Sequence, residues 1–445
     1  MNRLVRTALL LSLLLVPPCH YAAAAEWPHW RGPSYNGSSP EANLPVKWST
    51  TDNVRWTAEL PGPSAATPII WGDYVFVSST DAENNQLKAL CFRRTDGKLL
   101  WQHVVETGAT RKDRRSTFAA PSPTTDGKRV VFFYSDGTLV AYTMDGTQMW
   151  QRNIQKDYGP FAFMWTFSSS PLLYAGKLYL QVLQRDVPVG GRGLPDQENL
   201  SYLLAMDPQT GKTLYRHIRP SKAVAESHES FASPVPYQYR NRKEILVAGG
   251  DAITGHDPEN GAELWRWGTW NPTRIPHWRL VVSPVAGAGI ILACAPKRAP
   301  IYAIKAGGHG VLTDAALAWV SRKERAVSAD VPTPAFYDGD FFVLSDVRRS
   351  LSRVEPKTGK IKWSITTPGR DKYEASPTAA DGKIYLINFA GQVTVVDAAS
   401  GKILNKIAMM AKREENPVRS TIAVAHGNLF IRTNDKLYCI GGSSQ

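Results

Sequence analysis

The sequence predicts an all-β fold, an eight-bladed β-propeller of four-stranded antiparallel blades, from its composition and from two motifs that recur along the chain. The 445 residues include 14 Trp, 34 Gly and 31 Pro. This Gly and Pro content is too low for collagen and too high for a helical bundle, and it suits short strands joined by frequent turns. With 43% hydrophobic and 20% charged residues, the composition also argues against global disorder.

The first motif is a Ser-Pro or Thr-Pro step that begins each repeated unit, at a period of roughly 50 residues. Its copies are Thr67-Pro68, Ser122-Pro123, Ser170-Pro171, Ser233-Pro234, Ser283-Pro284, Thr333-Pro334 and Ser376-Pro377, and an eighth, Ser420-Thr421-Ile422, lacks the Pro. A turn and a β-rich run follow most copies, as at Asp338-Gly339 and Asp381-Gly382. Asp-Gly between apolar residues is a strong hairpin signal, so each step predicts a new inner hairpin.

The second motif closes each unit and reads Asp-x-x-Thr/Asn/Ser-Gly-x-x-x-Trp. We label the four strands of a unit A to D, from the channel outward, and place the closing Trp on strand D, packed against the next blade. Trp363 ends a clear copy, Tyr215 takes the Trp position in another, and Asn405 does so in the seventh. Trp319 closes the fifth unit after an insert. Each unit is therefore predicted to be one blade.

Eight starts are followed by only seven closures, which predicts how the ring closes. The last unit ends after its third strand, at 437–440, and a strand-like segment at 54–60 precedes the first Pro step. We expect strand 54–60 to complete the last blade and hide the sheet edges. The propeller then spans 53–442, and residues 26–52 form an N-terminal lead packed on the ring.

The N-terminus reads as a secretory signal peptide over residues 1–25. Arg3 and Arg6 precede an apolar run at 8–16, and four Ala residues end the segment at Ala25. The apolar run is too short for a transmembrane helix, and no other stretch of the sequence predicts a span. Cys19 lacks the small preceding residues of a lipoprotein signal, which argues against lipidation. We expect an exported chain, periplasmic or secreted.

The remaining cysteines, Cys91, Cys294 and Cys439, are odd in number, so at least one thiol is free. Cys91 and Cys439 occupy equivalent positions on strand C of neighbouring blades. Packed sheets lie roughly 10 Å apart, beyond the Cα separation of about 7 Å that a disulfide allows. We predict buried free thiols. No Cys-x-x-Cys or Cys/His cluster indicates a metal site.

The Trp-ended repeat resembles the PQQ-like (pyrroloquinoline-quinone-like) propeller family, over essentially the whole mature chain. That family includes quinoprotein alcohol dehydrogenases and the propeller lipoprotein of the outer-membrane barrel-assembly machine. The opening at 27–33, WPHWRGP, and the insert at 306–310, AGGHG, resemble an exported subgroup common in planctomycetes. The resemblance implies the fold and says little about function.

The resemblance also raises the question of a quinone cofactor. In the dehydrogenases, PQQ lies between a disulfide of adjacent cysteines and a Trp, with Ca²⁺ held by Glu, Asn and Asp. This chain has no adjacent cysteines, no matching run of calcium ligands and no haem-type Cys-x-x-Cys-His. We therefore expect no cofactor, with PQQ and Ca²⁺ as the alternative.

The predicted binding residues lie in the loops that lead into the inner strands. Because strands alternate in direction, the B–C and D–A loops share one face, and these loops are the variable ones. Arg side chains suit carboxylate or phosphate, and aromatic faces suit sugar rings or cations. Asp330 and Glu374 could form a glycosidase pair or hold a cation, and the alternative is polar groups that only pair with one another around water. The residues expected at the channel mouth are Arg115, Trp165, His228, His277, Arg279, Asp330, Tyr373, Glu374 and Arg419.

These observations predict an exported, monomeric propeller that acts as a binding or interaction scaffold in the cell envelope. Its partner would be an envelope protein or an anionic or sugar-like ligand. The alternative is an enzyme at the channel mouth, either a PQQ-dependent oxidoreductase or a glycan hydrolase or lyase, with no catalytic residue assigned. Lys and Arg exceed Asp and Glu by 13, but an exported chain without a reading motif does not predict nucleic-acid binding.

Overall fold

A computed structural model describes residues 25–441, and these residues form eight antiparallel sheets around a central channel, as predicted. The predicted leader, residues 1–25, lies outside the described residues except for Ala25. Strands A to D of blade 1 are Ile69–Trp71, Tyr74–Asp81, Gln86–Arg93 and Leu99–Thr107, and those of blade 2 are Thr124–Thr125, Arg129–Phe133, Thr138–Thr143 and Gln148–Asn153. Those of blade 3 are Leu172–Tyr174, Lys177–Val182, Tyr202–Met206 and Thr213–Ile218. Those of blade 4 are Val235–Tyr239, Arg242–Gly249, Ala252–His256 and Glu263–Trp267.

Blades 5 to 8 continue the same order around the ring. Strands A to D of blade 5 are Val285–Gly287, Ile290–Cys294, Ile301–Lys305 and Leu317–Val320, and those of blade 6 are Ala335–Tyr337, Asp340–Ser345, Ser350–Val354 and Ile361–Thr366. Those of blade 7 are Thr378–Ala380, Lys383–Ile387, Gln392–Asp397 and Ile403–Ala408. Those of blade 8 are Ala423–Ala425, Asn428–Arg432, Lys436–Gly441 and Val54–Glu59. The described helical segments are short: an α-helix at Ile154–Tyr158 and 3-10 turns at Ala225–His228 and Asp314–Ala316. No helix within residues 25–441 is long and apolar enough to cross a membrane.

The predicted ring closure is confirmed. Strand Val54–Glu59 pairs antiparallel with Lys436–Gly441, with Trp56 opposite Cys439 and a bulge between Val54 and Trp56. The N-terminal strand therefore supplies strand D of blade 8, and the last blade joins both ends of the described chain.

The closing Trp residues link successive blades, as the second motif predicts. The Trp56 indole donates to the Arg94 carbonyl in the C–D turn of blade 1 at 2.7 Å. Its ring lies on Gly97, where an added Cβ would stand 2.5 Å from the indole and where φ is +73°. Only glycine allows this approach, which explains the fixed Gly before each Trp. The same indole-to-turn bond occurs at Trp101, Trp150, Trp319 and Trp363.

Blade 4 departs from the repeat because the insert of blade 5 adds a fifth strand to it. Gly310–Val311 pairs in parallel with Glu263–Trp267, at the outer edge of the blade. The Trp265 indole donates to the Glu244 carboxylate of its own blade at 2.6 Å, where the other closing Trp residues donate to a turn of the next blade. The sequence did not predict this strand, since two residues carry no strand pattern.

The three described cysteines are buried free thiols, which confirms the prediction. Burial raises the pKa of Cys91, Cys294 and Cys439 well above the usual thiol value. Low reactivity follows, because the thiolate is the reactive form.

The segment 27–39 crosses one end of the channel and closes it. It makes main-chain hydrogen bonds to the inner strands of blades 1, 2, 6 and 7, through Ile70, Thr125, Phe336 and Ala379. The buried Arg31 guanidinium donates to the carbonyls of Pro334, at 2.5 Å, and Pro377, at 3.2 Å. We call residues 27–39 the plug. Among residues 25–441 the plug covers the channel end on the face of the A–B and C–D turns, and the cavity opens on the face of the B–C and D–A loops.

Candidate functional site

A belt of hydroxyl groups surrounds the channel, built from the Ser and Thr residues of the first motif. The Thr67 N–H donates to the Ser122 hydroxyl at 2.9 Å, and the Ser122 N–H donates to the Ser170 hydroxyl at 3.0 Å. The relation repeats between successive blades from blade 1 to blade 7, and the Thr421 N–H of blade 8 donates to the Thr67 hydroxyl of blade 1 at 3.3 Å. The remaining belt bonds join Ser170 to Ser233, Ser233 to Ser283, Ser283 to Thr333 and Thr333 to Ser376.

An axial cavity of about 370 Å³ lies inside this belt. Trp30 of the plug lines it, and the D–A and B–C loops form its mouth. All eight belt residues contribute to its wall. As formed by residues 25–441, the cavity is therefore a pocket that opens at the loop face, with a volume that suits a small molecule.

One side of the cavity is cationic and aromatic. The Arg115 guanidinium lies 4.6 Å from the centre of the Trp165 ring, and that of Arg279 lies 5.9 Å from it. Glu226 accepts from both the Trp165 indole and Arg279, each at 2.9 Å, and so fixes them relative to each other. Lys297 lies on the same side of the cavity. Burial is the main cause that lowers its pKa, and the nearby Arg279 charge lowers it further.

The other side of the cavity carries three carboxyl groups, those of Asp330, Asp346 and Glu374. Glu374 pairs with Arg419 at 3.0 Å. Burial raises the pKa of Asp346 to about 6, and the Asp330 and Glu374 charges add to the increase. The main-chain N–H of Asp330 donates to Asp346 at 3.1 Å and partly offsets it.

Three cations of the cavity make no ion pair within residues 25–441, and the charges of Asp330 and Glu226 act on one of them, Lys297, from a longer distance. Arg279 and Arg419 are each paired with a carboxylate. The charged groups of Arg115, Lys297 and Lys372 make no ion pair and no hydrogen bond with any residue of the range 25–441. The cavity thus offers free positive charge beside an aromatic ring.

Six of the nine residues named from the sequence line this cavity: Arg115, Trp165, Arg279, Asp330, Glu374 and Arg419. The other three lie elsewhere. His228 is buried with its ring 3.5 Å from Asp186, and burial lowers its pKa. The buried Tyr373 hydroxyl donates to the Pro368 carbonyl at 3.1 Å. His277 is exposed and outside the cavity lining.

The sequence reasoning did not assign Trp30, Lys297, Asp346 or Lys372 to the site. Lys372 belongs to the same D–A loop as Glu374, so alternation along that loop could have suggested it. Lys297 and Asp346 lie in B–C loops. Because the B–C loops were predicted to share the mouth face, that prediction could have pointed to both residues. Trp30 comes from the plug, and no repeat predicts where a single non-repeated segment lies.

The cavity residues do not fit a calcium-bound quinone. Within residues 25–441 no three His, Cys, Asp or Glu side chains are placed to hold a metal ion. The three cysteines are buried singly, so no pair is available to cover a quinone ring. We derive no reaction step through that cofactor.

Comparisons with known proteins agree with this architecture. The quinohemoprotein alcohol dehydrogenase of Comamonas testosteroni superposes with a TM-score of 0.64 at 12% identity, covering 94% of this chain and 81% of that one. BamB of Moraxella catarrhalis superposes with a TM-score of 0.58 at 12% identity, covering 86% of this chain and 98% of BamB. A europium-containing methanol dehydrogenase superposes with a TM-score of 0.63 at 11% identity, covering 92% of this chain and 90% of the dehydrogenase. At such identities these likenesses show the fold alone.

Among curated proteins, the serine/threonine-protein kinase AfsK of Streptomyces griseus is 30% identical over 110 residues, 24% of this chain. The chain spans only 13% of the length of that kinase. The family model described as outer membrane protein assembly factor BamB matches residues 41–180 and 249–445. The matched residues exceed half of the sequence and confirm the resemblance, so the chain belongs to the PQQ-like propeller family that carries this description.

Proposed function

We propose that this protein is a binding propeller that holds a small ligand with a carboxylate, phosphate or sulfate group in its axial cavity. The observation that carries the proposal is the set of three unpaired cations, Arg115, Lys297 and Lys372, facing one cavity. Cations held close together in a confined volume repel one another, and a bound anion relieves that repulsion. Guanidinium groups also bind carboxylate and phosphate in a two-pronged geometry.

Two further features support a ligand with a ring or several hydroxyl groups. The Trp165 face is available beside Arg115, and aromatic faces pack on sugar and other ring systems. The belt hydroxyls accept main-chain N–H groups, yet each hydroxyl also has a proton to donate. The hydroxyls of Ser122, Ser233 and Ser283 donate to no residue of the range 25–441, so a ligand could accept their protons in hydrogen bonds.

The proposed setting is the cell envelope. The leader predicted for residues 1–25 supports export to the periplasm or beyond, and the family description concerns an outer membrane assembly factor. A wider scaffold role, in which a monomer binds an envelope protein, is compatible with ligand binding at the cavity.

The test is a thermal-shift and calorimetry screen of small carboxylates, sugar phosphates and sulfated sugars. A ligand that binds only the folded state raises Tm. Arg115→Gln and Lys297→Gln should each weaken binding of the best anion by about tenfold to a hundredfold, since a charge-assisted bond is worth about 1.5–3 kcal/mol. Lys360→Gln, exposed on the opposite face, is the control. Binding that is unchanged in both cavity variants would refute the proposal.

The acidic side of the cavity favours one second candidate, a carbohydrate-active enzyme. A carboxyl group with a pKa of about 6, near the carboxyl groups of Asp330 and Glu374, can act as a general acid. Turnover in a glycan panel, lost in Asp346→Asn, would support it. Adding PQQ with and without Ca²⁺ covers the remaining alternative: a Ca²⁺-dependent rise in Tm together with dye-linked oxidation would replace the binding proposal with a quinoprotein.

A further inference from the structure

We propose that the loop face around the cavity mouth docks on an anionic phospholipid bilayer. Two features of this face carry the proposal, a set of unpaired cations on blades 5 to 7 and a group of exposed apolar side chains on blades 2 to 4. None of these cations lines the axial cavity, so the proposal goes beyond the proposed ligand site.

The cations form what we call the basic crescent. They are exposed, and their charged groups make no ion pair or hydrogen bond within the described range 25–441. The basic crescent comprises Arg298, Arg322, Lys323, Arg325, Arg348 and Arg370.

Hydrogen bonds between the loops hold the crescent together as one surface. They run from the Lys297 N–H to Asp330 at 2.7 Å, from the Ser350 hydroxyl to the Ala326 carbonyl at 3.0 Å, and from the Thr367 N–H to the Arg349 carbonyl at 2.9 Å.

Within the loops of the crescent itself few acidic groups offset this charge, and the exposed Glu414, Glu415, Asp196 and Glu198 of the same face lie in other loops. Asp330 and Asp346 face the cavity, and Asp371 is paired with Arg413 at 2.8 Å. Glu324 is exposed within the crescent itself. The crescent therefore carries a large net positive charge, and it accounts for part of the excess of basic residues in the chain.

The apolar group lies on the same face, in three neighbouring loops. Met164 is 37% exposed, Val187 55% and Val224 42%. Arg192 of the Val187 loop donates to the Met164 carbonyl at 3.4 Å, which joins two of these loops.

A bilayer interface suits both features together. Anionic headgroups attract the cations, and the boundary between headgroups and acyl chains accepts the apolar side chains. A soluble polyanion satisfies the cations and leaves the apolar side chains in water. The combination therefore favours a membrane surface over an anionic polymer.

The experiment is sedimentation of the full chain with phosphatidylcholine vesicles, with and without about one third phosphatidylglycerol. We expect binding only to the anionic vesicles, weakening as salt rises. The triple variant Arg322→Glu, Lys323→Glu, Arg325→Glu should bind about a hundredfold more weakly, because each basic residue strengthens binding about fivefold. Met164→Gln with Val187→Ser should also weaken binding several-fold and leave the salt dependence unchanged.

The matched control reverses three exposed lysines in the C–D turns of blades 6 and 7, as Lys357→Glu, Lys360→Glu and Lys402→Glu. It has the same net charge as the crescent variant, and it should bind within about twofold of the wild type. Equal loss in both triple variants would show a net-charge effect and overturn the proposal. So would equal binding to neutral vesicles, or binding to dextran sulfate without binding to anionic vesicles.

Discussion

The main-chain N–H of Thr67 donates to the Ser122 hydroxyl at 2.9 Å, across the boundary between blades 1 and 2. This bond gives the first motif of the sequence a physical role. Each Ser or Thr before the Pro accepts the N–H of the preceding blade, so the motif fastens neighbouring inner strands around the cavity. A buried N–H requires such an acceptor.

We predict that removing one belt hydroxyl destabilises the propeller. Ser233→Ala leaves the Ser170 N–H, now bonded at 2.8 Å, without its acceptor. The free energy of unfolding should fall by about 1–3 kcal/mol, as measured by denaturant titration. Thr50→Ala, which removes a hydroxyl at an exposed position, should change it by less than about 0.5 kcal/mol. Equal stability of the two variants would contradict a structural belt.

We predict that ring closure depends on Trp56. Trp56→Ala removes a side chain that is 7% exposed and should lower the free energy of unfolding by about 3–5 kcal/mol. Trp56→Phe keeps the ring over Gly97 and loses the bond to the Arg94 carbonyl, so its loss should be smaller. The control is Leu100→Ala, which changes a side chain on an outer strand that is 36% exposed. Its free energy of unfolding should lie within about 1 kcal/mol of the wild-type value. A Trp56→Ala protein as stable as this control would argue against closure by the N-terminal strand.

We predict that Arg31 fixes the plug in the channel. This side chain is 1% exposed, and burial lowers its pKa to about 9. Arg31→Met takes the donors away from the carbonyls of Pro334 and Pro377, directly before two inner strands, and should cost about 1–3 kcal/mol. Hydrogen–deuterium exchange at Gly37 and Ser39 should become faster. Lys357→Met serves as the exposed control, and unchanged exchange in Arg31→Met would show that main-chain bonds alone hold the plug.

We predict a pH dependence that comes from Asp346. Its pKa is about 6 in the folded protein, against about 3.9 for an unfolded Asp. The folded state therefore binds the Asp346 proton more tightly than the unfolded state does. Protonated Asp346 contributes its full stabilisation below pH 4, and this contribution is lost as the pH rises through about 6. The free energy of unfolding should fall by up to about 2–3 kcal/mol over this range. Asp346→Asn should flatten the stability curve in this window. Affinity for an anionic ligand should weaken over the same range in the wild type and stay level in the variant.

Much of the architecture follows from local sequence patterns. The Ser/Thr-Pro steps and the closing Trp residues recur because each blade solves the same packing problem, so Trp56 and Trp363 occupy equivalent places. Asp338-Gly339 turns tightly because both residues adopt positive φ. The fifth strand at Gly310–Val311 escaped prediction, since its pairing depends on a neighbouring blade rather than on its own residues.

The candidate site was predictable only in outline. Alternating strand direction placed Arg115, Asp330 and Arg419 on the mouth face, and the structure brings them to one cavity. The neighbours of a loop side chain decide its direction, which explains why Tyr373 turns inward while Lys372 and Glu374 line the cavity.

The sequence by itself determined a closed ring of eight blades, because short-range strand patterns repeat and the leftover strand at 54–60 has one vacant position to fill. Tertiary structure decided that the channel is closed at one end and which charges share its interior. The Arg31 bond to Pro377 spans 346 positions along the chain. Contacts at such separations leave no periodic trace in the sequence, because they join a segment that occurs once to blades far along the chain.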